Sequence, residues 1–243
     1  MSQFFFSLFK GADAKKLVEV QSNLVMVIQG ADNVPKRMSK KLEAILKLQW
    51  ASNLDQYTAA YKLVDPNLPS LVLGSLLLKQ VQDLKPFLME NFVKFVISNK
   101  GKTQPHILNS LQPLLKSISH EEFKSTLLPP MLKAMLRNPE LVLEAFGLIL
   151  SNLSIDLSQY VQDLSKPFAT QLHANDDLTR ENAVKCMASL ASKSSDSDAI
   201  ELLLKSIFSV LNGSEGKLSI ASHKMSLLSA AAAVSGKISF REF

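Results

Sequence analysis

The stretch Pro130-Met131-Leu132-Lys133-Ala134-Met135-Leu136-Arg137-Asn138-Pro139 is answered by Pro167-Phe168-Ala169-Thr170-Gln171-Leu172-His173-Ala174-Asn175-Asp176, an offset of 37 residues (130 to 167). The offset that carries Pro130 to Pro167 and Asn138 to Asn175 also carries Leu153 to Leu190. Applied once more, it carries Asn175 to Asn212 and Leu190 to Leu227. The segment is therefore an internal repeat with at least three copies. In the first copy, Leu127 to Arg137 reads as a helix, Asn138-Pro139 as a short polar turn, and Glu140 to Leu153 as a second helix. Two helices in a period in the upper thirties predict an all-α fold, a HEAT-type α-solenoid of the armadillo-like kind.

Outward from this stretch the same unit recurs. Leu17, Val20, Leu24, Val27 and Ile28 mark one face of a helix over 13–29, and Pro35 opens another over 34–50, where its missing N–H costs nothing. Helices over 53–64 and 67–82 flank Asp65-Pro66, and helices over 86–98 and 105–118 flank Asn99 to Thr103. Turns near 30, 65, 100, 138, 175 and 212 give about six helical pairs in an open right-handed stack. The expected division is an apolar N-terminal segment over 1–12, the solenoid over 13–235 and a C-terminal tail over 236–243. Core positions include Leu24, Leu46, Leu77, Phe95, Leu115, Phe146, Leu153, Met187, Leu190, Phe208 and Leu227.

Cap chemistry sharpens the boundaries. Ser119-His120-Glu121-Glu122 is a capping box, and Ser195-Asp196-Ser197-Asp198 is read as doing the same for a helix over 196–211. Asn212-Gly213 ends that helix, because glycine tolerates positive φ. Pro130 and Pro167 fall inside first helices and should bend them.

Composition agrees with a folded, helical chain: 243 residues, 47% hydrophobic and 20% charged, with 13 Phe but only 3 Tyr, 1 Trp and 8 Gly. The single cysteine, Cys186, allows no internal disulfide and suits a reducing compartment. Its neighbours Val184, Met187 and Leu190 make it a core thiol. Met1 to Phe9 lacks the basic start and length of a signal segment, and no later run is apolar enough to span a bilayer. The expected location is cytoplasmic, with no membrane association. Phe4, Phe5, Phe6 and Phe9 at one end and Ala230 to Val234 at the other are apolar, which implies self-association through uncapped ends.

No catalytic constellation is legible. Gly213-Ser214-Glu215-Gly216-Lys217 looks like a phosphate loop, but its glycines are too close, Leu218 replaces the hydroxyl residue and no strand precedes it, so it reads as an interhelical turn. His106, His120, His173 and His223 lack a second histidine or cysteine ligand at i+3 or i+4. Neither cofactor nor metal is expected. Asp176, Asp177 and Arg180 are read as a turn acid and second-helix base that stitch neighbouring repeats, and Asn152-Leu153-Ser154 as a helix end.

Charge carries the one functional signal. Residues 1–104 hold 14 Lys/Arg against 8 Asp/Glu, net +6, and residues 105–243 hold 13 against 14, net −1, which sum to +5. Lys36, Arg37, Lys40, Lys41 and Lys47 share one second helix, with 36, 40 and 47 on one stripe and 37 and 41 on the next. These are the candidate contact residues of the chain; a solvated helix face is the plainer reading.

Several of these runs also carry a family resemblance. Lys16-Leu17-Val18-Glu19-Val20-Gln21, Ser119-His120-Glu121-Glu122-Phe123-Lys124, Leu136-Arg137-Asn138-Pro139-Glu140, Asp156-Leu157-Ser158-Gln159-Tyr160 and Gly213-Ser214-Glu215-Gly216-Lys217-Leu218 together resemble the N-terminal region of the general control non-derepressible protein one family. The similarity runs from about Lys16 to Ser229; Met1 to Lys10 and Gly236 to Phe243 depart from it. The resemblance implies a very large, non-enzymatic HEAT-repeat scaffold that contacts ribosomal RNA and proteins and senses stalled ribosomes. It further implies activation of the kinase of the initiation-factor-two alpha subunit in amino-acid starvation, through regions of the family outside this chain. A karyopherin-like or other HEAT-repeat adaptor shares the architecture. The pI of about 9.2 favours ribosome docking, since such adaptors tend to be acidic.

Overall fold

The computed structural model describes residues 54–63, 82–98 and 111–237, with positions 15, 18, 19, 71, 74, 75 and 78 besides. Among these residues every regular element is helical and none is a strand. They fall into two compact units, one within residues 1–95 and 104–114, the other within 96–103 and 115–243. The expected core positions Leu24, Leu46 and Leu77 lie outside the described residues, as do His106 and Phe4, Phe5, Phe6 and Phe9.

In the first unit, α1 (Leu54–Tyr61) brings Tyr61 edge-on to Phe87 of α2 (Lys85–Ser98), with ring centroids 5.9 Å apart. A 3₁₀ turn, Gln82–Leu84, leads into α2, whose Leu88, Met89 and Phe92 are buried at helical spacing. Phe95, a predicted core position, is only half-buried. The Ser75 hydroxyl accepts from the Leu114 N–H at 3.2 Å and so anchors the start of α3 (Gln112–Ser117).

The second unit begins with the predicted capping box: the Ser119 hydroxyl accepts from Glu122 N at 3.3 Å, and the Glu122 carboxylate accepts from Ser119 N at 2.8 Å. The turn His120–Glu122 passes into a π-helical segment, Phe123–Leu127, and then α4 (Leu128–Arg137). The widening has a cause in the sequence. Pro129 and Pro130 have no N–H for the carbonyls four residues earlier, and the chain closes an i to i+5 bond instead, Leu128 N donating to Phe123 O.

α5 (Pro139–Asn152), α6 (Val161–Gln171), α7 (Asp177–Ser192), α8 (Ser197–Leu211) and α9 (Ala221–Ser235) follow. α5, α7 and α9 pack in succession, and α6 packs on α8; α4, α6 and α8 lie respectively against α5, α7 and α9. α7 is the central helix, and it buries Thr179, Arg180 and Asn182 as well as Ala183, Cys186, Met187 and Leu190. Its approach to α5 is close because position 147 is glycine: a Cβ there would lie 3.3 Å from Cys186 Sγ. Cys186 is fully buried, as its apolar neighbours predict; its Sγ donates to Leu143 O at 3.3 Å, and burial raises its pKa.

Leu115, Phe146, Leu153, Met187, Leu190 and Leu227 are all buried as predicted. Phe146 meets Phe168 of α6 edge-on at 5.3 Å, which locks the first pair to the second. Phe208 is a correction, being 44% exposed: the buried stripe of α8 is Ala199, Ile200, Leu203, Ile207 and Val210, and Phe208 falls outside it. Pro167 lies inside α6, as expected.

Candidate interaction surface

The helical order places the second unit's connections on two edges. The turns within pairs, around 138, 172–176 and 212–220, form one edge; the loops between pairs, 153–160 and 193–196, form the other.

The between-pair edge is bonded across copies. Asp156 accepts at 2.8 Å from Ser158 N and at 2.7 Å from Ser158 Oγ, and it also accepts from Ser195 N and Ser195 Oγ. The side-chain bonds from Ser158 and Ser195, followed by the Ser158 backbone bond, hold its carboxyl at about 2, well under the ordinary value. Lys193 Nζ donates to Leu153 O at 2.7 Å, and Leu157 N donates to Lys193 O at 2.8 Å. One copy earlier, Tyr160 OH donates to His120 O at 2.9 Å and Gln159 Nε2 approaches His120 Nδ1 at 2.6 Å. Burial raises the Tyr160 pKa. Ser195 is thus corrected: the N-cap of α8 is Asp196, whose side chain accepts from Asp198 N, while Ser195 is spent on Asp156.

The within-pair edge contains the predicted acids and base. Asp176 caps α7, its carboxylate accepting from Thr179 N and Oγ1 at 2.7 Å each. Arg180 is buried and donates to Ala174 O at 2.7 Å and Asn175 O at 3.0 Å while pairing with Asp177. These Arg180 partners lie between residues 174 and 177; burial, and after it the Arg180 charge, lower the pKa of His223 on α9.

Beside this cluster, Gly213-Ser214-Glu215-Gly216-Lys217 forms the expected interhelical turn, with φ of 92° at Gly213 and 109° at Gly216. The turn swings Glu215 back onto α6, where its carboxylate accepts from Thr170 Oγ1 and pairs with His173 Nε2, each at 2.9 Å. An open cavity of about 530 Å³ lies between the 170–175 and 215–220 segments, with His223 in its wall. His173 and His223 stand 50 positions apart in the sequence (173 to 223), yet their ring centroids are 6.4 Å apart. Sequence spacing could not reveal this pair, because only the stacking of α9 on α7 brings it together. Among the described residues no set of three His, Cys, Asp or Glu is arranged to hold a metal ion, and no helix is long and apolar enough to cross a membrane.

Lys36, Arg37, Lys40, Lys41 and Lys47, the predicted basic stripe, lie outside the described residues.

Residues 85–218 match the family described as the N-terminal region of the stalled ribosome sensor GCN1. The chain is 36% identical over 226 residues to the stalled ribosome sensor GCN1 of Mus musculus, covering 88% of this chain and 8% of the relative. It is 35% identical over 232 residues to that of Homo sapiens, covering 90% of the chain and 9% of the relative. Protein ILITYHIA of Arabidopsis thaliana is 36% identical over 146 residues, or 60% of the chain and 5% of the relative. The chain thus spans less than a tenth of the length of these relatives. No solved structure gives a significant match.

Proposed function

The chain belongs to the family of the stalled ribosome sensor GCN1, N-terminal region, and from that premise we propose that it is a non-enzymatic scaffold segment that docks on ribosomes. The observation that carries this reading is the identity to sensors of stalled ribosomes across most of the chain. The excess of base in residues 1–104 supports it, since a net +6 there suits a polyanionic partner better than an acidic-type cargo adaptor would. The successive packing of α5, α7 and α9, with α6 against α8, supports a HEAT-type solenoid as the scaffold, in about six pairs along the chain. Signalling to the initiation-factor kinase under starvation or stalling then passes through regions of the family outside this chain, and the setting is the cytoplasm.

In this reading Lys36, Arg37, Lys40, Lys41 and Lys47 meet successive phosphates of ribosomal RNA, and Asp176, Asp177 and Arg180 hold adjoining repeats in register. The test is co-sedimentation of the purified chain with ribosomes over a salt series, with and without Lys36, Arg37, Lys40 and Lys41 replaced by Glu. Each phosphate contact contributes roughly 0.7 to 0.9 to the slope of log affinity against log salt, so losing four flattens it by about three. An unaltered curve and slope in a variant of unchanged helix content would show that these side chains only face solvent.

A further inference from the structure

The cavity at the within-pair edge is surrounded by polar groups whose bonding leaves an imbalance. The acid in its lining is already matched, Glu215 by Thr170 and His173, and the adjoining turn acids Asp176 and Asp177 are bonded to Thr179 and Arg180. Lys217, in the wall, is paired with no acid among the described residues. Behind the same wall the 15-residue helix α9 begins at Ala221, and its N-cap, Ile220, supplies no side-chain acceptor to the first-turn N–H groups. A second observation is independent of the helix end. His223 lines the cavity with only 8% of its surface exposed, and no hydrogen bond joins its imidazole to any described residue. Its ring nitrogens are not sealed from the cavity, so a ligand there can supply the partner that the surrounding protein does not.

We infer that this cavity binds a phosphate group, held by the Lys217 ammonium, the His223 imidazole and the uncapped N–H groups at the start of α9. Donors from a loop, a helix face and a helix end suit an acceptor with oxygens pointing in several directions, which a tetrahedral oxyanion has and a planar amide lacks. The electrostatics agree. Burial first, then Arg180 and His173, push the His223 pKa down, and Asp177 offsets them in part, so an entering anion acts against that lowering and favours the protonated ring. Glu215 also faces the cavity, but with its oxygens engaged by Thr170 and His173 it acts as a strut of the wall. The loop's likeness to a phosphate loop thus has a physical basis of another kind: a helix N-terminus with a preceding lysine, and no strand. The site stands without the ribosome reading; only an RNA diester as its source rests on that reading.

The test follows the His223 ring resonances of the full chain by NMR, titrated with sodium phosphate and, at matched ionic strength, with sodium chloride. A saturable change with phosphate alone, with roughly millimolar affinity and a rise in the His223 pKa, is expected. Lys217→Gln should weaken it about tenfold, and His223→Gln should abolish most of the protection that phosphate gives against thermal unfolding. A parallel titration with a six-nucleotide oligouridylate separates the sources: tighter binding than inorganic phosphate identifies a backbone diester, and weaker binding a free ion, each consistent with the site. Equal responses to phosphate and chloride, or unchanged phosphate affinity in Lys217→Gln, would overturn it. Ribosome co-sedimentation run alongside distinguishes the two claims, because phosphate binding without sedimentation sinks only the docking reading.

Discussion

The two edges of the second unit are made of the same kinds of residue and behave differently. On the between-pair edge, Asp156, Ser158, Ser195, Lys193 and Leu153 satisfy one another across copies. On the within-pair edge, Asp176, Asp177 and Arg180 satisfy one turn, and the longer 212–220 loop leaves a cavity with His223 in its wall. A repeat array must fix the rise from one copy to the next, and the cross-copy bonds that do so are denser on the between-pair edge, the within-pair edge carrying those of Glu215 to Thr170 and His173. The within-pair edge is then freer to vary in length and chemistry, as the turns at 138 and at 212–220 already do.

Four substitutions would break or sharpen this contrast. Phe146→Ala removes the fully buried ring between α5 and α6 that both edges depend on, and should cost about 3–5 kcal/mol in chemical denaturation; a loss under 1 kcal/mol would mean the edges hold the unit without its core. Asp156→Ala should cost about 1 kcal/mol, a modest figure because the carboxylate is exposed. The sign of its pH dependence is fixed: a folded value of about 2 against 3.8 makes the stabilisation complete above about pH 4 and lost as pH falls through 2. Stability curves of the two proteins should therefore converge in acid, and parallel curves down to pH 2 would remove Asp156 from its role.

Gly213→Ala forces a Cβ onto a φ of 92° and should cost about 1 kcal/mol by thermal melting. Thr170→Val, on the open edge, deletes one bond to Glu215 and should cost at most about 0.5 kcal/mol, measured by denaturant midpoint. If it instead matched Asp156→Ala, the within-pair edge would be as much a fastening as the other.

Much of the second unit could be read from local chemistry. Ser119 to Glu122 forms its capping box because both partners sit within one turn, and Asn212-Gly213 ends its helix because the φ requirement is carried by a single residue. Phe208 departs from the expected core for an equally local reason: on α8 the apolar residues extend beyond the buried stripe, so hydrophobicity alone does not fix the face. Ser195 fits a cap pattern as well as Asp196 does, and only the return of Asp156 from 39 positions earlier (156 to 195) decides between them. The His173–His223 pair is of the same sort, being created by helix stacking rather than spacing.

Gly147 and Cys186 together have a further use. The chain's sole thiol is sealed where α5 presses on α7, and burial keeps it neutral, so a thiol-reactive dye cannot attack it while the helices remain in contact. Its labelling rate is therefore a native clock for the parting of two repeats, ticking only when they separate. Added partners that grip several copies at once would slow that clock, and a load that pulls the array straight would speed it.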